Sequence, residues 1–507
     1  PEGDILRMKF WACSPTGNPV RALVERSASP YTPVIESMLT LTSDWKEYEF
    51  TAISPGYGPG GVQVTFQAGY QAGVVYLAGV TVEDLGPDKK YMAQKASTEA
   101  ALQPAAIQRR IRQYRMGDLT VVVKSANGRP VPGAQVNIAQ TRHAFLFGAN
   151  LFGLNTADTS ATQAAYQQQF GGLLNYATLP FYWSSFEPQQ GHPQFARLDG
   201  MVEWCKQHNI TPKGHPLIWH EAYPKWAPAD ADAAIPLLQK RMTDIVTHYE
   251  GQIGYFDIVN EANAPDTSTG EGAWIIRDGA PSVIETALSW ARAAGPSDKF
   301  IYNDYDTGPT NVGTLTAMQT AHTLPDMVGI QSHMHSGVWP MARVWQTCEK
   351  FARFGRPIHF TETTVISGPQ RAYDYKGNNP DWNTTPEGEA AQADYVERFY
   401  TLLFSHPAVR AITWWDLSDR WAWLQAPAGL LRKDMSPKPA YTRLMELIHK
   451  TWWTNISGTT GRDGKLATRA FYGDYHITAT TPKGASGEAT LSWDEASGAM
   501  IVILAVH

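Results

Sequence analysis

Two glutamates frame the chemistry this chain could perform. Glu261 lies in the stretch "YFDIVNEANAPD" directly after Asn260, and Glu362 sits in "HFTETT", 101 residues further on. Each follows a short apolar run and is followed by polar residues. A single carboxylate there could be an ordinary strand end meeting solvent. Two of them, on opposed sides of one cavity, suit hydrolysis of a glycosidic bond with retention: one protonates the leaving oxygen while the other, about 5–5.5 Å away, attacks the sugar. The proton donor has to stay protonated near neutral pH, and burial close to another carboxylate moves a glutamate in that direction. Asn260 supplies an amide able to hydrogen-bond a sugar hydroxyl as charge builds on the ring.

Such a pair needs a scaffold that brings distant segments together. From residue 144 to about 450, short apolar runs alternate with helical segments: "FLFGAN", "YATLPFYW", "PKGHPLIWH", "YFDIVNEA", "FIYNDYD", "MVGIQSH", "PIHFTET" and "AITWWDLSD". Eight βα units in roughly 300 residues match the count and size of a (β/α)8 TIM barrel. A doubly wound sheet is the competing architecture, but no Gly-rich phosphate loop follows any strand. In a barrel of this kind active sites lie at the C-terminal strand ends. Here six of the eight runs end in polar or aromatic residues, among them His215, Trp219-His220, Asn303-Asp304, Gln331-Ser332-His333 and Trp415-Asp416. Glu261 ends the fourth strand and Glu362 the seventh, so the two face each other across the mouth.

The flanks are β-rich. Residues 1–86 alternate apolar and polar positions between Gly/Pro turns, as sandwich strands do. Residues 87–117 read as a helical connector rich in Ala, Gln and Arg. Residues 118–143 carry a β-hairpin pattern around Asn127-Gly128, and 451–507 are again strand-like. Isolated strand pairs are marginal, so the two segments flanking the barrel are expected to pack as one small β-domain. The expected fold is therefore multidomain: an N-terminal β-sandwich, a central barrel spanning 144–450, and an accessory β-domain.

Composition excludes several classes. In 507 residues, 43% hydrophobic and 18% charged content describes a globular chain, and a net charge of −6 provides no basic field for nucleic acid or anionic lipid. No run approaches a membrane span. Three cysteines (Cys13, Cys205 and Cys348) are too few for a disulfide framework, and buried free thiols are expected. The 18 Trp and 22 Tyr suit both cores and surfaces that stack on sugar rings.

"YFDIVNEA", "KGHPLIWH", "GIQSH" and "HFTET", in that order, resemble glycoside hydrolase family 10, the endo-β-1,4-xylanases of the wider Asn-Glu barrel clan. The resemblance covers most of residues 144–447. It implies Glu261 as acid/base and Glu362 as nucleophile. It also implies Asn260, His215 and Gln331 as contacts to the sugar at the cleavage site, and His333 as a hydrogen-bond partner of the nucleophile. Trp219 and Trp415 would wall that subsite, with Trp423 nearby. Asp304 matches a family position whose role could equally be structural. Residues 1–86 resemble the jelly-roll carbohydrate-binding modules found beside glycanases and look short for a complete one. Trp11, Tyr31, Tyr57 and Tyr70 are stacking candidates there, and such modules often carry a structural calcium. The implied substrate is a polysaccharide or oligosaccharide, the implied setting secreted or cell-surface, with no cofactor and a monomeric state.

One segment departs from the family. Typical members carry Glu, Asn and Lys after the second strand to hold the sugars before the cleaved bond; here "LPFYWSS" offers aromatics and hydroxyls. Tyr182 or Trp183 is expected to replace those contacts in part, leaving decorated xylans or another β-glycan or β-glycoside open as substrates. Two other readings compete. His215, His220, His333, His335 and His359 could be ligands of a metal-dependent amidohydrolase. In that class, however, the His-x-His pair belongs on the first strand, and "FLFGAN" has none, so no metal is expected at the site. A catalytically silent glycan-binding barrel is the other alternative, and the presence of both carboxylates with their amide and histidine argues against it.

Overall fold

The computed structural model describes residues 1–506, and the chain forms two compact units, Pro1–Ala101 and residues 102–507. The first contains β1 (Glu2–Cys13), β2 (Pro19–Arg26), β3 (Pro33–Thr40), β4 (Lys46–Pro55), β5 (Val62–Gln67) and β6 (Tyr76–Pro87), followed by a helix over Lys89–Ala101. They make two three-stranded antiparallel sheets, ordered β4-β1-β6 and β3-β2-β5. The period-2 pattern explains why they pair face to face. Met8, Phe10 and Ala12 of β1 and Val20, Ala22 and Val24 of β2 share one buried cluster, while Lys9 and Trp11 turn outward.

In the second unit, β7 (Met116–Ser125) and β8 (Gln135–His143) precede the barrel, and β17 (Asn455–Thr459), β18 (Lys465–Phe471), β19 (Gly473–Thr480), β20 (Ser486–Trp493) and β21 (Met500–Val506) follow it. The expected hairpin over 118–143 is not what forms. The Asn127-Gly128 turn is present, with Gly128 N–H donating to the Ser125 carbonyl, but pairing stops near Pro130. β7 then lies in one sheet (β18-β7-β21) and β8 in another (β17-β8-β19-β20). Both strands carry an apolar face, and placing them in separate sheets buries Leu119, Val121 and Val123 against Val136 and Ile138. β21 closes the first sheet: Leu504 and Val506 point into this core while Ile501 and Ile503 alternate to solvent. Residues 87–117 are not one connector either. Their two helices, Lys89–Ala101 and Pro104–Tyr114, fall in different units, and Met116 already begins β7.

Between these strands β9 (Leu146–Asn150), β10 (Tyr176–Pro180), β11 (Thr211–His215), β12 (Tyr255–Asn260), β13 (Lys299–Asp304), β14 (Met327–Met334), β15 (Ile358–Val365) and β16 (Val409–Trp414) form a closed parallel barrel in sequential order. Every residue of β9, β10 and β15 is buried, as a strand covered on both faces requires. Small residues allow the closest approaches. A Cβ on Gly214 would lie 2.4 Å from the Phe256 ring, so glycine there lets β11 and β12 meet with Lys213 and His215 on the same face. Cys13, Cys205 and Cys348 are buried free thiols. No helix among the described residues is long and apolar enough to cross a membrane.

Candidate active site

The strand ends converge on a hydrogen-bonded chain of polar side chains. Glu362, on β15, is 4% exposed. Its Oε1 accepts from Asn303 Nδ2 at 2.6 Å, and its Oε2 lies 3.0 Å from His333 Nε2. Asn303 also donates to Asn260 Oδ1 at 2.7 Å. Gln331 Nε2 donates to the same Asn260 oxygen at 3.3 Å and to Glu261 Oε1 at 2.8 Å. Asn260 Nδ2 and Trp219 Nε1 complete the donors to Glu261, at 3.1 and 3.2 Å. One continuous network therefore links the two carboxylates through three amides.

Glu261 stands just past β12 with φ of +58°, a left-handed conformation that costs a non-glycine residue roughly 1–2 kcal/mol. Its N–H is held by the Asn303 carbonyl at 2.9 Å. The strained backbone turns the side chain toward Trp219 and Gln331 instead of along the strand.

The two carboxyls experience opposite electrostatics. Burial dominates at Glu261 and, with the field of Glu362, pushes it up to about 8 despite the donors from Gln331 and Trp219. Burial also acts on Glu362, but there the His333 hydrogen bond, the fields of the two imidazoles His215 and His333, and the positive charge of Lys213 outweigh it. Its carboxyl is held below the ordinary glutamate value.

That positive charge has its own foundation. Lys213 and Asp257 are fully buried; Asp257 Oδ2 accepts from Lys213 Nζ at 2.5 Å and from His215 Nδ1 at 2.7 Å. Burial raises the Asp257 carboxyl, yet the charge of Lys213 and the hydrogen bond from His215 bring it below its ordinary value. His215 is thereby oriented with Nε2 3.9 Å from Glu362 Oε1.

Aromatic rings wall the cavity. Trp415 packs edge-on to His215 and His333, with centroids 5.3 and 5.8 Å apart. Trp423 lies 4.7 Å from His333, and its backbone N–H is held by Asp416. Tyr182 sits 5.5 Å from His215 and 5.4 Å from Trp219, and its hydroxyl has no hydrogen-bond partner among the described residues. Burial, followed by the fields of Glu362 and Glu261, raises that hydroxyl well above its ordinary value.

Trp183 does not join this wall, contrary to expectation. β10 ends at Pro180 and a short helical turn begins at Trp183, so the strand alternation no longer applies. The indole packs against Tyr223, Trp226 and Arg241 and donates to Glu187. Phe181 is likewise buried, against Phe186, Tyr249 and Phe256. Asp304 is tied up by Tyr302 and Asn263 at 2.6 and 2.9 Å.

Sequence reasoning gave no role to Asn303, Lys213 or Asp257. Asn303 was visible only as one more polar strand end; its bridging position follows from the β12–β13 register, which pairs it with Asn260. Nor do the histidines gather as a metal set. His215 and His333 serve Glu362, while His359 is buried beside Tyr176 and Tyr255. Among the described residues, His220 falls in a three-residue group able to hold an ion, with Glu221 and Glu261, their ligand atoms within 4.8 Å of one another.

Comparison with known proteins agrees with this architecture. Residues 137–447 match the family described as glycosyl hydrolase family 10, and the chain belongs to it. An endo-1,4-beta-xylanase B of Thermotoga neapolitana is 26% identical over 286 residues, covering 53% of this chain and 78% of that protein. An anti-sigma-I factor, RsgI6 of Acetivibrio thermocellus, is 25% identical over 405 residues, which are 77% of this chain and 48% of that protein. The chain thus spans about half the length of that relative. Among solved structures, xylanase 10B of Thermotoga petrophila, in complex with xylobiose, has the same barrel fold. It superposes with a TM-score of 0.51 at 23% identity, covering 61% of this chain and 95% of that one.

Proposed function

We propose that this chain is a retaining, endo-acting glycoside hydrolase that cleaves β-1,4-xylan or a related plant β-glycan. The observation that carries the reading is the pair of buried strand-end carboxyls in one hydrogen-bonded network, Glu261 among the uncharged donors Gln331, Asn260 and Trp219 and Glu362 between Asn303 and His333; burial raises the first to about 8, and the His333 hydrogen bond helps hold the second below its ordinary value. Glu362 attacks the anomeric carbon as the glycosidic C–O bond breaks, and the Glu261 proton passes to the departing oxygen. Glu261, now ionised, then takes a proton from water, whose oxygen displaces Glu362 from the sugar. Two inversions give net retention. Asn260 and Gln331 bond sugar hydroxyls as charge develops, and His215 and Trp415 fit the sugar at the cleavage site. His333 fixes the Glu362 carboxylate, and Tyr182 presents a free hydroxyl and a ring face in the segment where family members carry Glu, Asn and Lys.

Three proposals accompany this one. The N-terminal sandwich binds glycan without catalysis, and Trp11, Tyr31 and Tyr70, 43%, 53% and 52% exposed, are its stacking candidates. A polymer too large to enter a cell places the reaction outside it. The enzyme acts as a monomer.

The test is the first product. Proton NMR should show the β-anomer formed before mutarotation, and the α-anomer as first product would defeat the mechanism. Glu362→Ala should abolish turnover, whereas Glu261→Ala should retain it on aryl glycosides whose leaving group needs no proton. Tyr182→Ala should change the ranking among plain xylan oligosaccharides, branched ones and other β-linked glycans.

A further inference from the structure

We propose that Tyr375 is the platform of an additional sugar-binding subsite on the leaving-group side of the cleavage site, built by the loop over residues 366–385. The proposal rests on Glu261 being the catalytic acid, since the acid marks the side on which the leaving group departs.

Tyr375 is 71% exposed, the most exposed aromatic ring among the described residues. A lone exposed ring would be unremarkable on any protein surface. This one is anchored. Tyr373 stands 5.3 Å from it and stacks on buried Trp382, at 5.7 Å and 21°. The buried Asn379 side chain donates to the Asp374 and Leu424 carbonyls at 2.8 and 3.0 Å and accepts from Asp374 N–H. Loop 366–385 is thus tied to the segment carrying Trp423, where Leu424 and Gln425 take left-handed φ of +61° and +55°. A solvent-facing ring held by an anchored loop is what a binding surface requires.

Position supplies the rest. On one side Tyr375 lies 6.4 Å from Trp423, which packs on His333 and so reaches the nucleophile. On the other, the Glu221 carboxylate is near enough for its charge to act on the Tyr375 hydroxyl. Glu221 is the neighbour of Glu261, with carboxylate oxygens within 4.8 Å. The ring therefore borders the mouth on the acid side, where the next sugar of a polymer must lie. The apolar C–H face of a pyranose is the chemistry a fixed aromatic face recognises.

The experiment uses the full chain as wild type, Tyr375→Ala and Tyr375→Trp. The probes are unsubstituted β-1,4-xylo-oligosaccharides of three to six units and an aryl β-xylobioside, whose small leaving group ends before the subsite. The readout is the ratio of kcat/KM on the longest oligosaccharide to that on the aryl glycoside. Tyr375→Ala should lower this ratio roughly 3- to 10-fold, chiefly through KM, and Tyr375→Trp should restore it. An unchanged ratio, or equal loss on both substrates, overturns the subsite. Wild-type turnover of neither substrate would overturn the functional reading beneath it, and the subsite with it.

Discussion

His333→Ala isolates the electrostatics of Glu362, the proposed nucleophile. In the native site His333 Nε2 stands 3.0 Å from Glu362 Oε2, and its Nδ1 is paired with Thr364 at 2.8 Å, which fixes the ring. A hydrogen bond to a charged group contributes roughly 1.5–3 kcal/mol, and one pKa unit corresponds to about 1.36 kcal/mol. The bond favours the ionised carboxylate, so removing it should move Glu362 upward by about one to two units. Asn303 and His215 remain to hold the other oxygen. The assay is kcat/KM against pH on a soluble oligosaccharide. Wild type should show an acid limb below the ordinary glutamate value and an alkaline limb near 8, set by Glu362 and Glu261 respectively. In the variant the acid limb should shift up while the alkaline limb stays, so that activity at pH 5 falls roughly 3- to 10-fold further than at pH 7. His333→Gln, which can still donate, should recover part of the shift. An acid limb superimposable on that of wild type, with only the plateau lowered, would refute the reasoning.

The other predictions concern stability. Glu261 has a folded value, about 8, above its unfolded value of 4.5. The folded state therefore keeps a proton that the unfolded chain releases, and this residue costs more stability as pH rises between those values. Glu261→Gln should raise Tm at pH 8 and leave it nearly unchanged at pH 4, as a thermal scan at each pH would show. Asp257→Asn leaves Lys213 charged and buried without its partner and should cost about 3–5 kcal/mol in denaturant unfolding, with activity lost beyond what the loss of folded protein explains. Trp493→Ala, in the core shared by the sheets of β7 and β8, should cost about 3–5 kcal/mol and leave kcat unaltered at a temperature where the variant is folded. Deleting residues 452–507 should lower solubility, because Leu119, Val121 and Val123 would be uncovered.

How much of this could be read from residues alone varied with the range of the interaction. The barrel strands were visible because a parallel strand buried on both faces is an apolar run, and their polar ends marked the mouth. Glu261, Glu362, Asn260, Gln331, His333, His215, Trp219 and Trp415 all meet there. What was hidden depends on register or on local breaks in it. Lys213 and Asp257 look like solvated charges until β11 and β12 lie side by side. Trp183 follows Pro180 by three residues, and the helical turn it begins cancels the alternation that would have aimed it inward. The strands on either side of Asn127-Gly128 carry the period of a hairpin, yet whether they pair or part depends on a core completed some 350 residues later by β17–β21. No residue type announces the left-handed backbone at Glu261, because glutamate does not favour it.

That backbone explains how one residue type performs two tasks in one cavity. Glu362 lies within β15, in register with β14, where neighbouring strands supply donors: Asn303 two strands away and His333 on the adjacent strand, with the Lys213–Asp257–His215 group beneath. The turn at Glu261 takes its side chain out of that register and toward an indole and an amide, donors that carry no charge. Burial then dominates and the proton stays. Asn260 and Gln331, bonded to each other and to Glu261, keep the two environments adjacent without letting them merge. On the proposed mechanism, the different surroundings of proton donor and nucleophile go together with one left-handed residue, whose conformational cost is roughly 1–2 kcal/mol.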